Sequence, residues 1–427
     1  MNETDRLILG DGDHCIFSSD SKKTGLNNNI LVIGTSGCGK TVSIMEPRFL
    51  ETYCKSLIAT VTKRRIVKKY SMLMKKRGYK VWDLNFVHPA VGNCGFDPLL
   101  YVASYNDIRF LARSIVLANP QKTKSNADPY WDDGAVSLLC AEISYMLMTK
   151  KNPTFADVLD FHSKLIFEEK NGVISTNYDR KFEYLAERDP SCFAVSCWKS
   201  FKQLPIKTAS CIFSALNTTI DTIFTPELKE MFRMRRIVDF EKLASEKVVL
   251  FVTTSPVNPS LNSFVSMFYG TMFKDLFEFA ESQPDGRLPV PVDVLCDDFA
   301  TGCPVNMFEQ YVSIFREKGL SATILIQSES QLSSLYERDK ATTIINNMDT
   351  IVFLGSMDLE TGRSISMRAN RPLEDILYMP IGSEIIFRRG MKPIFTKRYN
   401  IFENDMYKQA TEEYEQYVSR KKIQKAR

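Results

Sequence analysis

The chain has no C-x-x-C pair and only three histidines, His14, His88 and His162, standing far apart. That scarcity argues against a zinc site, which needs several Cys or His ligands at close spacing. Its ten cysteines are scattered singly, at 15, 38, 54, 94, 140, 192, 197, 211, 296 and 303, several inside apolar runs such as Leu138-Leu139-Cys140. They read as reduced thiols of a cytosolic protein and not as a disulfide framework. No uninterrupted apolar stretch approaches the ~18 residues that would cross a bilayer. The N-terminus, Met1-Asn2-Glu3-Thr4-Asp5-Arg6, lacks the basic and apolar regions of a signal peptide. An excess of one charge is missing too: 55 Lys and Arg face 51 Asp and Glu, a net charge of +4. Without local clustering, that balance does not point to nucleic acid. At 427 residues the chain exceeds the size of a single core, so two domains, or one domain with a large insertion, are expected.

What is present is a phosphate-binding pattern. Gly34-Thr35-Ser36-Gly37-Cys38-Gly39-Lys40-Thr41 fits G-x-x-x-x-G-K-[ST], follows the apolar run Ile30-Leu31-Val32-Ile33 and precedes a helix-compatible stretch from Val42. Pro47 is expected to end or kink that helix. Glycines at 34, 37 and 39 let main-chain N–H groups and a helix N-terminus surround an anion. Lys40 would neutralise phosphate charge and Thr41 would hold Mg²⁺, so a nucleoside triphosphate such as ATP is the expected ligand.

Ser56–Val61 reads as a second strand, followed by a basic helix at about 64 to 77 and a third strand from Lys80 to Leu84. From about Asn106 to Phe224 the apolar spacing becomes helical, as in Ile108, Leu111, Ala112, Ile115 and Val116. β-rich runs then resume at 248–252, 292–295, 323–326 and 350–354. The expected fold is α/β, a doubly wound, mostly parallel sheet with an inserted all-helical domain. The nucleotide-binding domain is split into 1–105 and 225–405, the insertion is 106–224, and 406–427 is a charged tail whose end, with five basic residues in the eight from Arg420 to Arg427, is expected to be disordered.

A phosphate-loop ATPase needs a carboxylate at a core strand end to order the Mg²⁺ shell and a second to polarise the attacking water. Val292-Asp293-Val294-Leu295-Cys296-Asp297-Asp298 offers both, with Asp297 on the metal and Asp298 as base. Eighteen residues past Asp298 comes Arg316, which either forms a surface ion pair or reaches a neighbouring subunit's phosphates. Gln327, just past an apolar strand, would sense the γ-phosphate if that strand lies beside the one ending at Asp297; otherwise it caps a turn. Between Lys63 and Lys80 stand nine basic residues and no acid. They form a solvated helix face, or contact DNA phosphates or acidic lipid headgroups.

Together these residues resemble the type IV secretion coupling proteins, the DNA-pumping ATPases of conjugation, in the manner of those of Gram-positive integrative elements. The resemblance runs from about Leu7 to Asn400. It takes in Lys23 to Asn29, Pro47, Phe96-Asp97-Pro98-Leu99, Asp128-Pro129-Tyr130-Trp131, Asp297-Asp298-Phe299-Ala300, Gln327 to Leu332 and Asn346-Asn347-Met348-Asp349. It implies a P-loop, RecA-like fold, a homo-hexameric ring with DNA in its channel, and an insertion that engages a relaxase-bearing substrate for secretion-channel proteins. It also implies Lys40 and Thr41 as phosphate and metal ligands, Asp297 as the second metal residue, and Asp298 as base. Arg316 becomes a finger acting in trans and Gln327 the γ-phosphate sensor. Three departures stand out. Asp298 replaces the usual Glu, Val61-Thr62-Lys63-Arg64 keeps only the lysine of Asp-Pro-Lys-Gly, and the family's transmembrane helices are absent. The chain is therefore expected in the cytoplasm, held to the inner membrane face by a partner. The competing expectation is a substrate-docking adaptor that binds nucleotide and hydrolyses it weakly.

Overall fold

The computed structural model describes residues 5–117, 129–170, 173–255, 259–299 and 304–426. The chain divides into two compact units: Met1–Leu84 with Asp239–Pro256 and Phe273–Arg427, and Asn85–Val238 with Val257–Met272. The sequence-based limits at 106 and 224 fall inside the second unit.

Thirteen strands are described: β1 (Arg6–Ile8), β2 (Ile16–Ser18), β3 (Ile30–Ile33), β4 (Ser56–Val61), β5 (Lys80–Asn85), β6 (Phe167–Lys170), β7 (Val173–Thr176), β8 (Val248–Thr253), β9 (Val292–Cys296), β10 (Leu320–Ile326), β11 (Thr350–Phe353), β12 (Ser383–Arg388) and β13 (Ile394–Lys397). Nine of them form one sheet in the order β13-β12-β11-β3-β10-β9-β4-β8-β5. β11, β3, β10, β9, β4 and β8 run parallel, and β12 and β13 add an antiparallel edge. β3, β4, β8, β9 and β10 are buried along their whole length, which is why they read as continuous apolar runs. One face packs Val32, Leu57, Phe251 and Leu325 against Phe49 and Tyr70, whose rings stack with centroids 4.6 Å apart.

The helix after the phosphate loop does not end at Pro47. It continues through Pro47, as a π turn over Thr41–Met45 that hands over to an α-helix over Glu46–Glu51. Proline has no N–H and crowds the carbonyl of a preceding α turn; a wider turn upstream accommodates both. The C-terminal segment is also ordered. Asp405–Ala426 is helical and packs on the basic helix Arg64–Lys76, with Met406, Tyr407 and Ala410 at helical spacing on its inner side. The basic end, expected to be disordered, belongs to this helix as far as Ala426.

The second unit is mostly helical, from Tyr105–Leu117 to Pro226–Met231, and includes a short antiparallel hairpin of β6 and β7. Its core stacks Phe182 on Trp198 at 4.1 Å and buries a Glu142–His162 pair at 2.8 Å. Asp97, first of the Asp97-Pro98-Leu99 run, accepts the N–H groups of Leu99 (3.0 Å) and Phe155 (3.2 Å), an anchoring role. Asp128 and Ala300 lie outside the described residues.

Candidate nucleotide site

Parallel register places the carboxyl ends of β3, β10, β9, β4 and β11 on one edge of the first unit's sheet. Ile33 is level with Ile326 and Phe353, Cys296 with Ile324 and Thr60. The phosphate loop leaves β3 there. Its first amide, Gly34 N–H, donates to Ile326 O (3.1 Å), and Thr35 N–H donates to Gly355 O (3.1 Å) beyond β11. A Cβ on Gly34 would lie 2.5 Å from Cys38 Sγ and 3.1 Å from Leu354 Cβ, so a side chain there would have to displace a neighbour. Gly37 (φ 76°) and Gly39 (φ 91°) turn the loop through the left-handed region. Among the described residues no acceptor takes the N–H groups of Ser36, Gly37 or Gly39. Free amides above a helix N-terminus form an anion nest.

Lys40 is 7 % exposed, and its ammonium is folded back onto the loop, donating to Gly34 O (2.6 Å) and Thr35 O (3.1 Å). The Thr41 hydroxyl donates to Asp297 Oδ2 at 3.1 Å. Burial pushes the Asp297 carboxyl above the usual carboxylate range and neighbouring Asp298 adds to this, while Thr41, Lys40 and Lys63 pull it down. A hydroxyl and a carboxylate side by side are hard oxygen donors suited to Mg²⁺, and the raised Asp297 gains most from a cation. The residues thus fit the metal.

Asp298 has φ 52°, a left-handed conformation that Asp tolerates better than Glu. Gln327 follows β10, which lies between β3 and β9, so the condition for its sensing position is met. Its side chain makes no hydrogen bond among the described residues. Ser328 and Gln331 cap the turn instead: Gln327 N–H donates to Gln331 Oε1 (3.1 Å) and Gln331 N–H to Ser328 Oγ (3.1 Å). Arg316 is not brought to this site. It is exposed near the C-terminal end of the helix Phe308–Lys318, at the sheet edge where β10 begins, opposite the phosphate loop. No acid among the described residues pairs with it.

The basic segment is largely spent within the chain. Arg64 pairs with Asp83 (2.6 Å), Lys76 with Glu413 (2.5 Å), and Lys80 with Glu246. Lys69 Nζ lies 3.2 Å above the Tyr407 ring, and Arg77 holds the carbonyls of Phe49, Leu50 and Thr52. Lys63 belongs to the surroundings of Asp297. Arg65, Lys68 and Lys75 remain exposed at helical spacing.

One polar group escaped the sequence reading. Arg398, after β13, donates through Nη1 to Cys38 O and through Nη2 to Leu354 O (2.7 Å). No motif announces it. Asn27 and Asn29 carried a resemblance, and the structure assigns them a job away from the loop. Asn27 Nδ2 and Asn29 Nδ2 donate to Asn347 O (2.8 and 3.1 Å), joining the amino ends of β3 and β11.

Among the described residues no three Cys, His, Asp or Glu side chains could gather a metal, and no helix is long and apolar enough to cross a membrane. No curated protein sequence matches the chain. Among solved structures it is similar to the plasmid coupling protein TrwB in complex with the ATP analogue ADPNP, at 16% identity and TM-score 0.65, over 88% of this chain and 86% of that one. TrwB with ADP and Mg²⁺ is similar at 15% identity and TM-score 0.66, over 93% and 90%. VirB4 of Thermoanaerobacter pseudethanolicus follows at 12% identity and TM-score 0.56, over 94% and 98%. These likenesses show the fold, that of an α/β P-loop protein with a helical domain. Residues 4–370 match the family described as type IV secretory system conjugative DNA transfer, and the chain belongs to that family.

Proposed function

We propose that this chain is an ATP-driven coupling protein that recruits a DNA–protein transfer substrate and pumps it into a type IV secretion channel. The observation that carries it is the convergence, on one sheet edge, of an anion nest, the Thr41–Asp297 pair and the Gln327 strand end. TrwB, which shares this fold, is seen in complex with the ATP analogue ADPNP and with ADP and Mg²⁺, which supports the same ligands here.

In this reading Lys40 leaves the carbonyls of Gly34 and Thr35 for the β- and γ-phosphates, and the amides of Ser36, Gly37 and Gly39 take up phosphate oxygens. Thr41 and Asp297 hold Mg²⁺, which supplies charge neutralisation for the leaving phosphate. Asp298 accepts the proton of the attacking water. Gln327 registers the γ-phosphate. Arg316, at the sheet edge away from its own loop and without an acidic partner among the described residues, acts on the site of the next subunit in a homo-hexamer. The helical insertion at 106–224 engages the relaxase-bearing substrate. DNA is contacted through its backbone without regard to sequence, and a membrane partner holds the protein at the cytoplasmic face.

A second reading, a docking adaptor with weak hydrolysis, is favoured by one observation: Asp298 is a short side chain held at positive φ. ATPase turnover with and without DNA separates the two. Stimulated turnover supports the motor, and nucleotide binding without turnover supports the adaptor.

A further inference from the structure

Arg398 lies beyond the residues matched to the family and 360 positions from the loop carbonyl it holds. Its backbone is fixed by Arg398 N–H donating to Gly382 O (2.9 Å), so the guanidinium is presented from a braced hairpin end. The fork bridges two segments, Leu354 O at the end of β11 (2.7 Å) and Cys38 O in the phosphate loop. Leu354 N–H in turn donates to Ile33 O (2.8 Å), the last residue of β3 before the loop.

In a trans peptide the C=O and the following N–H point in opposite directions. Tying Cys38 O to Arg398 therefore turns the Gly39 N–H the other way, away from the guanidinium. Gly39 has φ 91°, a residue whose backbone is free to rotate, so its peptide plane needs an external hold. We propose that Arg398 is a positioning residue for the phosphate loop, holding the Cys38–Gly39 peptide so that the Gly39 amide faces the nucleotide phosphates. The inference rests on the nucleotide reading above and adds to it a residue from the far end of the chain. Glu384, buried on β12, feels the charge of this guanidinium, and Asp11 in turn lies near Glu384. Among the described residues neither oxygen of Glu384 has a hydrogen-bond partner, leaving the Arg398 fork to the two carbonyls.

An amide held toward phosphate serves the ground state and the transition state alike, so its loss raises KM and leaves kcat nearly unchanged. The test measures ATP–Mg²⁺ binding by titration calorimetry, steady-state hydrolysis and melting temperature on the parent, Arg398→Ala, Arg398→Lys and Lys40→Ala. Arg398→Ala is expected to weaken ATP binding and raise KM about tenfold, as for one charge-assisted hydrogen bond, with kcat within about twofold. Arg398→Lys, which keeps one donor, recovers part of the loss. Should the alanine variant not fold, Arg398→Lys and Arg398→Gln carry the comparison, with the glutamine variant the weaker binder. Parental affinity in the folded variants, with only the melting temperature lowered, overturns the inference while leaving the nucleotide reading intact, provided Lys40→Ala has lost binding. A parent that binds no ATP removes both.

Discussion

The Thr41 hydroxyl donates to the Asp297 carboxylate across 3.1 Å, although 256 residues separate them. One comes from the loop after β3 and the other from the end of β9, with β10 between, so strand order alone brings the two side chains together. Asp298, next along the chain and the base in the proposed mechanism, has a left-handed φ of 52° that suits Asp better than Glu. Asp298→Asn is expected to lower turnover by roughly 10² to 10⁴, the loss of a general base, with ATP affinity little changed. Asp298→Glu restores the family's reach and keeps or raises turnover, at a stability cost on the order of 1 kcal/mol for the strained backbone. Steady-state hydrolysis and thermal melting of both variants check this. Parental turnover in Asp298→Asn would exclude a base here.

Arg316 sits at the wrong end of its sheet to serve its own phosphates. Mixing Arg316→Ala with Lys40→Ala is expected to restore part of the activity that each lacks, because some mixed interfaces pair an intact loop with an intact arginine. Absence of recovery at every ratio, with mixed rings seen by native mass spectrometry, would count against action in trans.

Much of this was legible in the sequence, and the reasons are local. The phosphate loop carries its chemistry in eight consecutive residues, and the buried strands betray themselves as apolar runs such as Val248 to Val252. Strand adjacency was not legible, so the place of Gln327 between β3 and β9 had to await the sheet order. Arg398 was invisible for the same reason: its partners are main-chain carbonyls, which no side-chain motif can signal. Counting charges from Lys63 to Lys80 takes no account of Asp83, Glu246 and Glu413, which arrive from elsewhere to pair with some of them.

That pairing leaves Arg65, Lys68 and Lys75 as the exposed stripe of the basic helix. If the stripe tracks DNA phosphates, changing all three to Gln weakens DNA binding alike across sequences and reduces the salt slope by about one unit per residue. Fluorescence anisotropy over a salt series measures it. An unchanged slope would return the stripe to a solvated face.

Glu384 is 1 % exposed, and burial pushes its carboxyl from 4.5 up to about 8 against the pull of Arg398. A carboxyl that holds its proton longer in the folded state than in the unfolded chain favours folding at low pH. Stability is therefore lost as pH rises from about 4.5 to about 8, by at most about 1.4 kcal/mol per pH unit from this one group. Glu384→Gln is expected to flatten that part of the profile and to raise the melting temperature at pH 8 relative to the parent. A parallel decline in both proteins would show that Glu384 is not the group responsible.

The central claim, a nucleotide-driven DNA motor, is tested most directly by ATP hydrolysis measured against protein concentration with single- and double-stranded DNA, beside a folded Lys40→Ala control. The account predicts turnover that DNA stimulates, that rises with protein concentration as rings assemble, and that Lys40→Ala abolishes. Undiminished turnover in Lys40→Ala, or no hydrolysis by the parent at any concentration with either DNA, would contradict it.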